Sequence, residues 1–165
     1  MESQSDQFNE LRKLLAAESG PDWRAVLTEA ARIMGCVTAT LHRLDPSDGM
    51  LKTLALLGVP DELVPKIAVI PIGKGIAGLA AEKREPVQIC NLQTDTTGRA
   101  RPDAKKTEVA GSVAIPVELS TGALLGTIGV GKREPHDFTG AETEVLYAIA
   151  AEIAPHLAGA AAGAP

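Results

Sequence analysis

The stretch that most constrains the fold is "SVAIPVEL", the turn-forming "STG" and then "ALLGTIGVGK", which together span residues 112 to 132. Apolar side chains occupy every second position from Val113 to Leu119, which is the period of a β-strand with one buried face. Two such runs joined by a short glycine-containing turn predict an antiparallel hairpin. Gly126, Gly129 and Gly131 weaken the second strand unless another backbone or a ligand approaches it closely.

Other segments extend this hairpin into an α+β fold. "CVTATLHRLD" and "MLKTLALLG" flank "DPSDG" and predict a second hairpin, while "IAVIPI" and "PVQIC" are strand-like. A helix is expected over residues 6–18, and another from Asp22, as N-cap, to a close at Gly35. A last helix is expected from Thr139, with Glu142 completing a capping box. The order predicts a mainly antiparallel sheet of five or six strands, with the terminal helices on one face.

The segment "PIGKGIAGLAAEKREPVQI" concentrates glycine at the start of a short helix. Gly73, Gly75 and Gly78 do not form a phosphate-binding loop, because no Lys-Ser/Thr pair follows at the required place. Pro86 disfavours helical geometry at the residue before it, so the helix should stop near residue 83 or 84. Two interpretations remain open: the first helical N–H groups face a pocket and attract an anion, or the corner simply requires glycine.

Composition excludes several classes of function. The formal net charge is −5 and only 2% of the residues are aromatic, which argues against a nucleic-acid partner. No apolar run reaches the length of a membrane span, and the polar start lacks a secretory signal, so a cytoplasmic location is expected. Cys36 and Cys90 lie far apart without C-x-x-C spacing, so no metal site is predicted.

Three stretches together resemble the GAF family of small-molecule sensory domains. They are "IPIGKGIAGLAAEKREPVQI", "SVAIPVEL" followed by "ALLGTIGVG", and "HDFTGAETEVLYAIAAEIA", and the resemblance covers roughly Leu11 to Leu157. It implies that a short helix and the long loop Asn91 to Ala110 cover a ligand pocket on the sheet face opposite the terminal helices. It also implies a homodimer formed through those helices. The expected division is an N-terminal helix over 1–20, the sensory domain over 21–157 and a flexible tail over 158–165.

Candidate ligand-binding residues follow from that arrangement. They are His42, Ile72, Gly75, Ile76, Asn91, Arg99, Arg101 and Ser112. Simpler structural roles stay open: a hydrogen-bonded structural histidine at position 42, a loop-starting asparagine at 91, and solvated charges at 99, 101, 105 and 106. For Ser112 the alternative is tight helix packing.

The sequence therefore predicts a non-catalytic sensor that binds a small anionic or polar ligand and signals through its terminal helices to a partner protein. No cofactor is identified. One alternative is a thiol oxidoreductase such as a free methionine sulfoxide reductase, with Cys90 as its weakly supported nucleophile. Another is a dimerisation module with a vestigial pocket.

Overall fold

The computed structural model describes residues 3–99 and 109–163. The helices are α1 (Gln4–Gln7), α2 (Asn9–Leu15), α3 (Trp23–Met34), α4 (Val64–Ile67), α5 (Gly75–Lys83) and α6 (Gly140–Gly163), with a 3₁₀ turn at Asp61–Leu63. The strands are β1 (Thr38–Asp45), β2 (Met50–Leu57), β3 (Val69–Ile70), β4 (Val87–Ile89), β5 (Ser112–Glu118) and β6 (Leu124–Gly131). None of the helices in the described ranges combines the length and apolar character needed to cross a bilayer.

The strands form a single antiparallel sheet in the order β3-β2-β1-β6-β5-β4. Both predicted hairpins are present, as β1–β2 and β5–β6. Register places Leu41, Ile128 and Ile115 side by side across the three central strands, and all three are fully buried against the helices. Because side chains alternate between faces, His42 and Thr127 point to the opposite face.

Helices α2, α3 and α6 cover the first face and share one large apolar core with it. Local capping fixes where two of them begin. The Asp22 carboxylate accepts the N–H of Ala25 at 3.2 Å, and Thr139 and Glu142 make the reciprocal bonds of a capping box at 3.1 and 3.0 Å. The expected fold class and these caps are confirmed.

The N-terminal helix differs from expectation. The predicted helix over 6–18 is divided into α1 and α2, because Phe8 adopts φ −96° and ψ 0° between them. Helix α6 continues to Gly163. Residues 100–108 of the long loop, with Arg101, lie outside the described residues.

Helix α5 and the chain just before it cover part of the second face. Gly75 has φ +65°, a conformation that glycine adopts without strain. Gly78 packs directly on the preceding backbone: a Cβ there would lie 2.5 Å from the Pro71 carbonyl oxygen. The N–H of Gly73 also donates to the Gly78 carbonyl at 2.8 Å, which closes the corner. The corner therefore holds α5 close to the sheet through backbone contacts.

We expect Gly78→Ala to reduce the free energy of unfolding by about 1–3 kcal/mol, because the added methyl group overlaps a backbone carbonyl that cannot rotate away. Gly140→Ala is the matched control, since no heavy atom lies within 4 Å of the Cβ it would gain. Urea unfolding of both variants measures the difference. Equal stability of the two variants would contradict a rigid contact at this corner.

Candidate functional site

A cavity of about 170 Å³ lies between the second face of the sheet and α5. Its floor is formed by β1, β5 and β6, its roof by the first turn of α5, and its sides by the α4 region and the two ends of the long loop. Most of its walls are apolar. The apolar lining residues include Ala39, Val59, Leu63, Ile67, Ile70, Ile76, Ala77, Leu92, Val109, Ala114 and Val130.

The ends of the long loop are fixed against this cavity. Leu92 and Val109 pack with Ile89 and Ile76 in a small apolar cluster. The N–H of Leu92 donates to the Ala110 carbonyl at 2.7 Å, and the Gln93 amide donates to the Val109 carbonyl at 2.9 Å. Leu92 and Val109 thus form a wall whose position is set by both hydrogen bonds and apolar packing.

Polar groups enter the cavity floor mainly from one strand. Thr38, Thr40 and His42 alternate along β1 and all line the cavity. Ser112 of β5 also lines it, although its hydroxyl lies 3.5 Å from the Val130 carbonyl, a long hydrogen bond. The floor therefore offers a row of hydroxyl groups that ends in an imidazole.

His42 is held in one orientation and one tautomer. Its Nε2 lies 2.9 Å from the Ile67 carbonyl oxygen and 3.2 Å from the Thr53 hydroxyl. The residue is only 1% exposed. Because a carbonyl only accepts, Nε2 carries the proton and Nδ1 presents a lone pair. Burial lowers the pKa of His42, partly opposed by the bond to Ile67, so the ring is neutral at pH 7.

Two buried polar atoms near the floor have no hydrogen-bond partner among the described residues. They are Nδ1 of His42 and Oγ1 of Thr127, which stands directly opposite His42 in the β1–β6 register. A buried acceptor without a donor costs about 1–3 kcal/mol, so such atoms are uncommon without a functional reason. His42 is a lining residue of the cavity, but Nδ1 itself and Oγ1 of Thr127 have almost no accessible surface.

The roof presents the N-terminus of α5. Lys74 precedes the helix in an extended conformation and makes no side-chain capping bond, and Gly75, Ile76 and Ala77 line the cavity. The first N–H groups of a helix have no intrahelical acceptor and carry a partial positive charge. Lys66 and Lys74 are also among the lining residues, whereas no Asp or Glu is among those described. The cavity is electrostatically suited to an anion.

The structure brings together four of the predicted site residues: His42, Gly75, Ile76 and Ser112 all line the cavity. The other described ones lie outside its lining. Ile72 is 36% exposed on the surface. Asn91 accepts the N–H of Gln93 at 3.1 Å through its side chain, and Arg99 donates to the Gln88 carbonyl at 2.9 Å on the sheet edge.

Sequence reasoning missed the two lysines and the two threonines. Thr38 and Thr40 could have been predicted, because they lie two and four residues before His42 on one strand and therefore share its face. No pattern in the sequence predicts Lys66 and Lys74, since they line the cavity from separate segments on either side of β3.

Both thiols are held in the protonated form. Burial raises the pKa of Cys36 to about 11. Cys90 is exposed, and partial desolvation together with a hydrogen bond to Asp137 raises its pKa as well. Neither cysteine is among the residues that line the cavity. Among the described residues no group of three or more His, Cys, Asp or Glu could hold a metal ion.

A sequence model described as GAF domain matches residues 24–158, most of the chain. The chain belongs to the GAF domain family. Comparison with curated proteins found no match.

Solved structures share this GAF fold at low sequence identity. The GAF domain of an Acinetobacter phosphoenolpyruvate-protein phosphotransferase has a TM-score of 0.79 at 19% identity, covering 96% of this chain and 95% of that one. The corresponding Coxiella burnetii domain has a TM-score of 0.77 at 22% identity and covers 96% and 95%. A free methionine-R-sulfoxide reductase from Neisseria meningitidis, solved with its substrate, has a TM-score of 0.73 at 16% identity and covers 94% and 88%.

The lowered pKa of His42 predicts a pH-dependent stability. Between the folded pKa and the unfolded value of about 6.5, the unfolded chain binds a proton that the folded chain does not. The His42 contribution is therefore complete above about pH 6.5 and is lost as pH falls, with a slope of at most about 1.4 kcal/mol per pH unit. Urea unfolding between about pH 5.5 and 7.5, above the carboxylate range, measures this slope.

His42→Phe should flatten the pH dependence in this window, because it removes the group that titrates. A His42→Phe variant that kept the wild-type slope would assign the effect to another group.

Proposed function

We propose that this GAF domain is a non-catalytic cytoplasmic sensor that binds a small anionic or polar metabolite in the cavity beneath α5. One observation carries the proposal: the cavity lining combines a helix N-terminus with two lysines and a row of hydroxyl groups, and no acidic lining residue is among those described. Helix N-termini and lysines favour anions, and the apolar remainder of the wall favours a ligand with a hydrocarbon part.

Four predicted residues and four new ones form the proposed binding set. They are His42, Gly75, Ile76 and Ser112, with Thr38, Thr40, Lys66 and Lys74 added. Ile72, Asn91 and Arg99 are not part of this set, because their side chains are exposed or bonded elsewhere.

The cavity volume limits the size of the ligand. A cavity of roughly 150 Å³ holds a molecule of the size of benzene, and this one measures about 170 Å³. Drug-sized ligands occupy pockets of about 300–1,000 Å³. A cyclic nucleotide or a tetrapyrrole would need the walls to move apart, so a metabolite with few heavy atoms fits the described walls best.

Contacts between β4 and α6 offer a route by which binding reaches the terminal helices. Gln88 of β4 bonds the backbone of Phe138 twice, accepting its N–H at 2.8 Å and donating to its carbonyl at 3.2 Å. Phe138 lies in the main core immediately before α6. Ile89, the next residue of β4, packs with Leu92 and Val109 of the cavity wall. A ligand that moves this wall would therefore also bias the start of α6, provided it binds the two states unequally.

A thiol oxidoreductase has less support from the geometry. A nucleophilic cysteine reacts as the thiolate, and the pKa values of both Cys36 and Cys90 are raised. Neither Cys36 nor Cys90 is among the lining residues of the cavity.

We expect one or more small carboxylates or other anions to raise the melting temperature in a thermal-shift screen that also includes nucleotides and amino acids. A ligand at 100 times its Kd stabilises the native state by about 2.7 kcal/mol, or roughly 5–10 °C for a chain of this size. Ala77→Leu, which adds bulk to the cavity lining, should abolish the shift. Ala16→Leu, at an exposed position after α2, should retain it.

Two results would contradict the sensor proposal. The first is a screen in which no compound gives a shift that Ala77→Leu removes. The second is turnover of free methionine sulfoxide by the wild type that disappears in Cys90→Ser, since a sensor should respond to its ligand equally with either residue.

We also propose a homodimer formed through the terminal helices, the commonest form of closed assembly. Ala151 and Pro155 are exposed one turn apart on α6. Light scattering at micromolar concentration should give twice the chain mass of 17.1 kDa. Ala151→Arg should shift the mass toward a monomer, and Ala123→Arg, in the exposed β5–β6 turn, should not. A monomeric wild type would overturn this part.

A further inference from the structure

We propose that the outer edge of β2 is a docking site for an extended peptide segment of a partner protein, in which apolar and basic side chains alternate. The proposal goes beyond the sensor function and does not require the cavity beneath α5 to bind a ligand. It depends on three features of the described residues: a stretch of strand paired on one side, a groove along that stretch, and a difference in chemistry between the two groove walls.

The outer edge of β2 is paired over only part of its length. β3 pairs with Leu51 and Lys52, and the N–H of Thr53 donates to the Ala68 carbonyl at 2.9 Å. Residues 54–57 pair with β1 on one side and with no strand of the described chain on the other. An edge of this kind presents backbone N–H and C=O groups with which another strand can pair.

This edge has little of the protection that exposed strand edges usually carry. Residues 54–57 read Leu-Ala-Leu-Leu, with neither a charged side chain nor a proline. One protecting feature is present, a β-bulge at which β2 has one residue more than β1, Leu54, but the pairing of residues 55–57 with β1 is regular. An apolar, regularly paired edge favours the addition of a further strand.

A groove of about 680 Å³ runs along this edge. Residues 53–56 form its floor, Trp23 and Arg24 of the first turn of α3 form one wall, and Asp61 and Val64 of the 3₁₀ turn and α4 form the other. The walls lie on opposite faces of the sheet, since α3 packs in the main core and the α4 region borders the ligand cavity. A single extended chain fits between two such walls more readily than the edge of a second copy, which carries the same walls.

The two walls differ in chemistry. Trp23 is half-buried and packs, like Leu54, against the main core, so its ring adds apolar surface, while Arg24 beside it disfavours a basic group on this wall. The opposite wall carries the exposed Asp61, and the exposed Glu62 follows it in the chain. Side chains of an added strand alternate between the two faces of the sheet. Apolar side chains therefore suit the wall of α3, and Lys or Arg suits the wall of Asp61.

The test titrates the full chain with a synthetic peptide, Lys-Val-Lys-Val-Lys-Val-Lys. Trp23 is the single tryptophan of the chain and lines the groove, so its fluorescence should report binding. We expect a saturable change in emission. A peptide with the same residues in two blocks should bind about tenfold more weakly or not at all, because it cannot match both walls at once.

Backbone methylation of the peptide tests strand pairing directly. The N–H groups of alternate residues point to the same edge of a strand, so methylating every valine nitrogen removes the donors of one edge, and methylating every lysine nitrogen removes those of the other. One of the two methylated peptides should lose binding and the other should keep it. Equal effects of the two methylation patterns would contradict pairing with β2.

A charge reversal tests the acidic wall. Asp61→Lys should weaken binding of the alternating peptide about three- to tenfold, because it replaces an attraction between exposed charges by a repulsion. The same variant should bind Glu-Val-Glu-Val-Glu-Val-Glu more tightly than the wild type does. Glu144→Lys, an equal change of charge at an exposed position of α6 outside the groove lining, is the control and should leave both affinities unchanged.

Amide hydrogen exchange locates the bound peptide. Peptide binding should slow exchange within residues 54–57 and leave Thr53 unchanged, since its N–H already donates to Ala68. Protection of 54–57 that appears without peptide and increases with protein concentration would assign the edge to a second copy and overturn the proposal. Equal binding of the alternating and block peptides would reduce the effect to net charge and would also overturn it. Neither result affects the sensor proposal, which depends on thermal shifts caused by small anions.

Discussion

The pairing register of β1, β6 and β5 is the constraint on which both faces of this domain depend. It sets Leu41, Ile128 and Ile115 in one row toward the helices and turns His42 and Thr127 to the other side. A slip of one residue would exchange the faces, burying an imidazole in the apolar core and placing core side chains in the cavity. The large core on the helix side therefore fixes the register. The register in turn determines which side chains form the cavity floor.

The electrostatic character of the cavity depends on the absence of Asp and Glu from its described lining as well as on the polar groups that are present. The mainly apolar walls lower the local dielectric constant, which strengthens the field of the α5 N-terminus, and burial makes the unpaired Nδ1 of His42 costly. Burial lowers the pKa of His42, so the floor stays neutral at pH 7 while the N-terminus of α5 gives the roof a partial positive charge.

Sequence determines the local features here better than the assembled ones. Asp22 and Thr139 were predictable as caps because each side chain bonds a backbone group three residues further along. Asn91 likewise has a local structural role, since its side chain accepts a hydrogen bond from the N–H of Gln93, two residues further along. Lys66 and Lys74 become neighbours of one cavity only when β3 pairs with β2 and α5 folds over the sheet, and no periodicity encodes that placement.

Ser112 and His42, two reactive side chains of the described cavity wall, are not placed to act as a nucleophile and its base. Ser112 aligns across the sheet with Gly131 and Thr38, so His42 lies about 13 Å further along the strand direction and cannot act as its base. The Nε2 proton of His42 is bound to the Ile67 carbonyl, and the thiols lie off the wall with raised pKa values. The polar groups that remain in the described lining are hydroxyl groups, two lysines and a helix N-terminus. The apolar cluster of Leu92 and Val109 connects this wall to the start of α6 through β4.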